Sequence, residues 1–358
     1  MSSSPDGSDR VSNRAMITIY SADHVHQNAA VELIDGKLLA PFEHPRRAEM
    51  VLSQVQATEL GMVLPPQDFG LAPILRVHDR DFVEFLQTAW DEWLQAHGDY
   101  DALPLNWATR TMRHDRIPET IDGKLSYYSF DAGTPITRGT WRAAVSAANV
   151  ALTAQARLQQ GDRTAFALCR PPGHHAAANF YGGYCFLNNA AIAAQALRDG
   201  GADRVAILDI DYHHGNGTQA IFYDRADVLF VSLHADPLQD FPYFLGYADE
   251  RGAAAGAGYN YNYPLRWGTT WEQYREVLLD AVEQVQRYRP DAIVVSLGVD
   301  TFCEDPISRF QLASQDYLQI GAILQQLDRP TLFVLEGGYA IEAIGLNAVN
   351  VLLGFENG

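Results

Sequence analysis

Apolar residues along this chain fall into two patterns: short continuous runs, and longer stretches spaced as on one face of a helix. The continuous runs lie at residues 164–168, 205–208, 228–233, 292–297 and 331–335. Runs that short, apolar at nearly every position and bounded by polar residues, predict strands buried on both faces. Residues 16–20 predict a first strand of the same kind. Between the runs, Ala48, Val51, Leu52, Val55 and Leu60 give residues 47–60 an amphipathic helical spacing. Further helices are predicted from 79 to about 93, over 141–159 with a Gly161-Asp162 stop, over 188–198 and over 271–288. Strand, polar loop and helix thus alternate, which implies an α/β fold with a parallel sheet covered on both faces.

Two segments break the rhythm. Residues 1–15 are rich in Ser, Asp, Gly, Arg and Asn without apolar periodicity, and are expected to form a disordered tail. Residues 96–124 mix Gly, Pro and Asn with charges and show no helical stripe. They predict a long irregular insertion bordering the active site or a subunit interface. No repeat or long linker divides the rest, so residues 16–358 are expected to be one domain.

Composition narrows the class. Of the 358 residues, 47% are hydrophobic, enough for a sizeable core. No apolar run reaches the length of a membrane span, and no secretory leader is expected. Three cysteines, Cys169, Cys185 and Cys303, are odd in number and unpaired in spacing. They point to a reducing compartment, so a cytoplasmic protein is expected. A net charge of −18 disfavours nucleic acid as partner and permits cationic ligands. It serves solubility equally well.

The chemistry sits where the apolar runs end. In a parallel α/β sheet, ligands bind beyond the carboxyl ends of the strands. The run 205–208 is followed by Asp209, Asp211 and His213, alternate residues that project to one side of an extended chain. Carboxylates that close repel unless a cation lies among them. The run 292–297 leads to Asp300, the run 164–168 to Pro171-Pro172-Gly173-His174-His175, and the run 331–335 to Glu336-Gly337-Gly338-Tyr339.

Asp211, His213 and Asp300 make a mixed oxygen and nitrogen set with one position left open, which suits a catalytic Zn²⁺, with Fe²⁺ or Co²⁺ as competitors. Asp300 could serve equally as a helix N-cap before Thr301. One of His174 and His175 is a candidate general base. Asp209 is placed to orient one histidine and Asn216 the other. Tyr339, after two glycines, is a candidate donor to an oxyanion, the alternative being a core aromatic.

Taken in order, Arg170-Pro171-Pro172-Gly173-His174-His175, Gly182-Gly183-Tyr184-Cys185-Phe186-Leu187-Asn188-Asn189, residues 209–217, Ser232-Leu233-His234 and Glu336-Gly337-Gly338-Tyr339 resemble the histone deacetylase superfamily. Asp236-Pro237, Phe241-Pro242-Tyr243-Phe244-Leu245-Gly246-Tyr247, Asp300-Thr301-Phe302 and Asp305-Pro306-Ile307-Ser308 are similar to its bacterial acetylpolyamine amidohydrolases. The resemblance runs from about residue 16 to the C-terminus. It implies the arginase–deacetylase fold, with an eight-stranded parallel sheet and helices on both faces. It implies zinc on Asp211, His213 and Asp300, with His175 as general base and acid. His174 would be its electrostatic partner, paired with Asp209, and Tyr339 would polarise the acetyl carbonyl.

Tyr184 and Phe241 match the aromatic walls of the substrate tunnel, and a structural K⁺ would use Asp209, Asp211, His213, Ser232 and Leu233. Residues 96–124 resemble an insertion that helps to form a homodimer and narrows the entrance. Of two acidic positions near the tunnel mouth of those enzymes, one falls on Asp122 and keeps its charge, and the other on Gly133, with Asp131 nearby. Asn216 stands where many deacetylases carry an aspartate, as it does in the polyamine enzymes.

The expected activity is hydrolysis of the N-acetyl amide of small cationic substrates such as acetylputrescine, acetylcadaverine and other acetylpolyamines. The rivals are a protein acetyl-lysine deacetylase, a silent module that binds acetylated ligands, and an arginase-like ureohydrolase. The last needs more aspartates than the motifs supply.

Overall fold

A computed structural model describes residues 16–358. The expected tail over residues 1–15 lies outside the described residues. Eight strands form one sheet in the order β4-β1-β5-β10-β9-β6-β7-β8. They are β1 (Ile17–Ile19), β4 (Val63–Leu64), β5 (Thr164–Ala167), β6 (Val205–Asp209), β7 (Val228–Ala235), β8 (Asn260–Leu265), β9 (Ala292–Leu297) and β10 (Thr331–Leu335). Every pairing within the sheet is parallel. A separate antiparallel hairpin joins β2 (Glu32–Ile34) to β3 (Lys37–Leu39) through an Asp35-Gly36 turn.

The sheet explains why its central strands are almost wholly apolar. Alternate residues point to opposite faces, and both faces are covered. Val205, Ile207, Val294 and Val334 face one core, where they meet α2 (Arg80–His97), α3 (Ile121–Tyr128), α4 (Thr140–Gln159) and α5 (Asn189–Asp199). Ala206, Leu208, Val295 and Leu335 face the other, against α1 (Arg46–Ala57), α7 (Trp271–Tyr288), α8 (Asp316–Gln325) and α9 (Ile341–Asn357). Each fully buried aliphatic side chain contributes roughly 1.5–3 kcal/mol relative to exposure, so a polar face on any central strand would be costly.

The predicted strands and helices all form, with ends shifted by a few residues at most. The insertion is shorter than expected. Residues 96–97 close α2, residues 121–124 open α3, and the irregular stretch between them is tied down by a bridge from Ala102 to Ile136. Helix α3 escaped the sequence reading because it is short and buries only Ile121, Leu125 and Tyr128. No helix among the described residues is long and apolar enough to cross a membrane.

Register brings the chemistry together. Asp209, the last residue of β6, pairs with Ser296 of β9 on one side and Ser232 of β7 on the other. The strands β5, β10, β9 and β6 are consecutive neighbours in the sheet. The four sequence segments that follow them therefore meet at one edge of the molecule.

Candidate active site

Asp211, His213 and Asp300 converge with potential ligand atoms all within 4.8 Å of one another. His213 Nδ1 lies 3.0 Å from Asp300 Oδ2 and 3.5 Å from Asp211 Oδ1. Asp300 is followed by a turn rather than a helix, so the N-cap alternative does not arise. Its Oδ1 instead accepts the Tyr212 N–H at 2.8 Å.

Burial, and then Asp211, push the Asp300 carboxyl up to about 7, against the pull of His213. Burial opposes charge on Asp211 as well, but His174 and His213 hold it below its ordinary range. Two buried carboxylates around one imidazole call for concentrated positive charge, which a divalent cation supplies.

The surrounding backbone fits such an ion. A Cβ on Gly337 would come within 2.5 Å of Asp211 Oδ2 and 2.6 Å of Asp300 Oδ2, and one on Gly298 would strike Asp211. The Gly337 N–H donates to Asp211 Oδ2 at 2.8 Å. Only bare backbone can approach this closely while leaving the carboxylates free to turn toward a ligand.

The two adjacent histidines occupy opposite electrostatic environments. His174 Nδ1 lies 2.9 Å from Asp209 Oδ2, and its Nε2 lies 3.7 Å from Asp211 Oδ1. Burial opposes its charge, yet Asp211 and Asp209 overcome it and hold the ring protonated up to about 10. His175 Nδ1 donates to Asn216 Oδ1 at 2.6 Å, which leaves Nε2 as its free base position. Burial, then the charges on His174 and His213, drive its pKa well below the ordinary histidine value. One ring is thus a stable cation and the other a neutral base. Gly183 makes room for His175, since a Cβ there would strike the imidazole.

A cavity of about 710 Å³ opens over these groups. Its lining includes His175, His213, Tyr339, Tyr184 and Phe241. The Phe241 ring stands edge-on to His175 at 5.1 Å and stacks on Phe130 at 5.5 Å. Tyr184 meets the Tyr339 ring at 5.6 Å. Burial lifts the Tyr339 phenol well above its usual pKa, so it stands as a hydrogen-bond donor.

Not every expected residue reaches the cavity. Asp122 lies in the first turn of α3, paired to His97 at 3.0 Å, and lines a separate shallow depression with Glu92, Ala96 and Thr120. Asp131 does line the cavity, but its buried carboxylate is engaged by the Gly183 N–H and the Thr134 hydroxyl. Ser232 Oγ bonds His234 Nδ1 at 2.8 Å beside Asp209.

Several supporting roles were not read from the sequence. Arg47 Nε donates to Gly338 O at 2.6 Å and Nη2 to Glu336 O at 2.5 Å, with its guanidinium 4.7 Å from the Tyr339 ring centre. Glu43 accepts from both Arg47 and Arg170, at 2.9 and 2.7 Å. Glu336 Oε2 accepts the N–H groups of Gly173 and His174, fixing the turn that carries both histidines. One signal was available: Arg47 precedes Val51 by one helical turn, which puts a charge on the apolar face of the predicted helix.

Comparison with known proteins agrees with this geometry. The Histone deacetylase domain family matches residues 41–354. The chain is 60% identical over 341 residues to acetylpolyamine amidohydrolase 2 of Pseudomonas aeruginosa, covering 95% of this chain and 99% of that one. It is 48% identical over 339 residues to acetylpolyamine amidohydrolase of Mycoplana ramosa, covering 95% and 99%. The crystal structure of acetylpolyamine aminohydrolase from Burkholderia pseudomallei superposes with a TM-score of 0.91 at 39% identity, covering 96% and 99%. The shared sheet is the arginase–deacetylase fold. Motif order, fold and near full-length identity lead to one assignment: this chain belongs to the histone deacetylase family and is a deacetylase, an amidohydrolase.

Proposed function

We propose that the protein is a zinc-dependent deacetylase of small cationic acetylated amines, with acetylputrescine, acetylcadaverine and other acetylpolyamines as its substrates. The observation that carries this reading is the meeting of Asp211, His213 and Asp300 with His175 and Tyr339 at one aromatic-walled cavity. The names of the relatives support the substrate class.

Asp211, His213 and Asp300 would hold the zinc, which supplies a Lewis acid for the carbonyl oxygen and lowers the pKa of water. The neutral His175 Nε2 takes a proton from the water that attacks the carbonyl carbon. It returns that proton to the amine nitrogen as the C–N bond breaks, giving acetate and free amine. His174, kept protonated by Asp209 and Asp211, stabilises negative charge without exchanging its own proton. The Tyr339 hydroxyl donates to the carbonyl oxygen as that atom becomes negative.

Tyr184 and Phe241 flank the methylene chain. Asp35, at the tip of the β2–β3 hairpin, is an exposed carboxylate on the cavity lining, placed for a distal ammonium.

The same strand ends are proposed to hold a structural K⁺ through oxygens of Asp209, Asp211, His213, Ser232 and Leu233. The adjacency of Asp209 and Ser232 in register supports it. A homodimer built on the 98–120 stretch, where Leu105 is 82% exposed and Met112 and Ile117 are also exposed, completes the reading. Sedimentation tests that last point.

The decisive experiment is a turnover panel on metal-defined enzyme: acetylputrescine, acetylspermidine and an acetyl-lysine peptide. The diamine and polyamine substrates should exceed the peptide in kcat/KM, and equal turnover would favour a protein deacetylase. Activity that survives exhaustive chelation would refute the zinc assignment.

A further inference from the structure

Tyr339 lies just before a helix with no cap of its own. Helix α9 starts at Ile341, and its N-cap residue, Ala340, has no side-chain hydrogen bond to offer the first turn. The two amides that lead into the helix are met from another loop. Asp305 Oδ2 accepts the Tyr339 N–H at 2.7 Å and the Ala340 N–H at 3.2 Å. Its Oδ1 accepts the Ile307 N–H at 3.1 Å. The side chain is 6% exposed. A carboxylate is well suited to this place, because unpaired N–H groups and the helix dipole both favour negative charge there.

The consequence reaches the cavity from two sides. Pro306 and Ile307 lie on its wall, and Tyr339 lies on its lining. One carboxylate therefore ties the wall to the main chain of the tyrosine. The ring itself is confined by other means, with the Arg47 guanidinium over it and Tyr184 against it. With the ring so confined, the height of the main chain decides where the hydroxyl arrives.

We propose that Asp305 is a positioning residue for the reaction: it fixes the Tyr339 main chain, and so the reach of the hydroxyl to the carbonyl oxygen, and couples it to the Pro306–Ile307 wall. This rests on the role given to Tyr339 above. A misplacement of about 1 Å at such a donor costs about 10²-fold in rate.

A double-mutant cycle on the zinc-loaded full chain tests it, with acetylputrescine as substrate. Asp305→Asn keeps the shape but sets an N–H₂ against a backbone N–H. It should lower kcat about 10- to 100-fold with KM within about threefold. On a Tyr339→Phe background the same substitution should change kcat less than about twofold, because the hydroxyl it positions is gone. An equal loss in both backgrounds would overturn the proposal in favour of a general structural role. Loss of bound zinc in Asp305→Asn would overturn it too, by placing the effect on Asp300. If Tyr339→Phe alone leaves kcat unchanged, the role of Tyr339 fails first, and that result is separable from the other two. Should Asp305→Asn not fold, Asp305→Ser, which still accepts a hydrogen bond, takes its place in the same cycle.

Discussion

At and beneath the floor of the cavity, Asp209, Asp211, Asp300, His174 and His175 are almost fully buried and lie at or beyond the carboxyl ends of strands of the sheet. At its rim, Asp35, Leu39, Tyr243 and Trp267 are exposed and sit on a hairpin and loops. The floor is over-determined. His175 is held by Asn216, His174 by Asp209, and the turn beneath them by Glu336. Glycine backbones close the remaining space around the carboxylates.

The rim has fewer ties. Asp240 joins Trp267 Nε1 to the Tyr212 hydroxyl at 2.8 and 2.5 Å, while the hairpin hangs on its own two strands and on Glu32, which accepts the Phe42 N–H. A rigid floor fixes the chemistry. A looser rim can vary its choice of amine without disturbing that chemistry.

This contrast can be broken or sharpened by experiment. The largest effect is expected at the floor: Asp300→Ala should abolish both bound zinc, measured by elemental analysis, and acetylputrescine turnover. Gly337→Ala should act in the same direction through crowding of Asp211 and Asp300, with zinc affinity reduced about 10- to 100-fold.

The floor's support also has a pH signature. His78 is buried, with Nδ1–H donating to Ala177 O at 2.8 Å and Nε2 accepting the Asn188 N–H at 2.9 Å, an arrangement only the neutral ring can make. Burial holds its pKa down at about 4, against 6.5 for an ordinary histidine. The unfolded chain therefore binds the proton first. The stability His78 contributes is complete above pH 6.5 and is lost as pH falls toward 4. Urea unfolding should register a loss of up to about 3 kcal/mol from this group across that window, and His78→Gln should flatten that dependence.

Asn216→Ala leaves the His175 N–H without its acceptor and should lower kcat about 10- to 100-fold at unchanged zinc content. The smallest effect belongs to the rim. Leu39→Ala should raise KM by about tenfold or less while kcat stays within about twofold. A rim substitution that altered kcat as much as Asn216→Ala would erase the distinction between the two regions.

Legibility followed the same division. The strands β9 and β10 and the helix α7 coincide with the predicted spans 292–297, 331–335 and 271–288, since a buried strand or a long amphipathic helix writes its burial directly into residue type. The candidate site residues at strand ends were legible for a related reason: the end of an apolar run marks where polar groups become affordable, and the motifs lie there. The hairpin β2–β3 and strand β8 were not read. β2–β3 is two three-residue strands with β3 exposed, and β8 alternates Asn and Tyr at the edge of the sheet and contains Pro264. Helices α8 and α9 carried an apolar signal that went unread, whereas α6 (Asn216–Phe222) is too short to show one.

By itself, the sequence determined the alternation of strands and helices, the parallel character of the sheet and the identity of the groups at its strand ends. These depend on local burial and on short spacings, and both are properties of a linear chain. Tertiary structure alone decided that β5, β10, β9 and β6 are neighbours, which brings His175, His213 and Tyr339 to one cavity, with residues 174, 211 and 300 packed against them. It alone set Arg47 over the Tyr339 ring, brought Asp305 to its main chain and kept Asp122 apart. Those relations join residues far apart in the chain, and their partners are chosen by strand order and packing rather than by any neighbour in sequence.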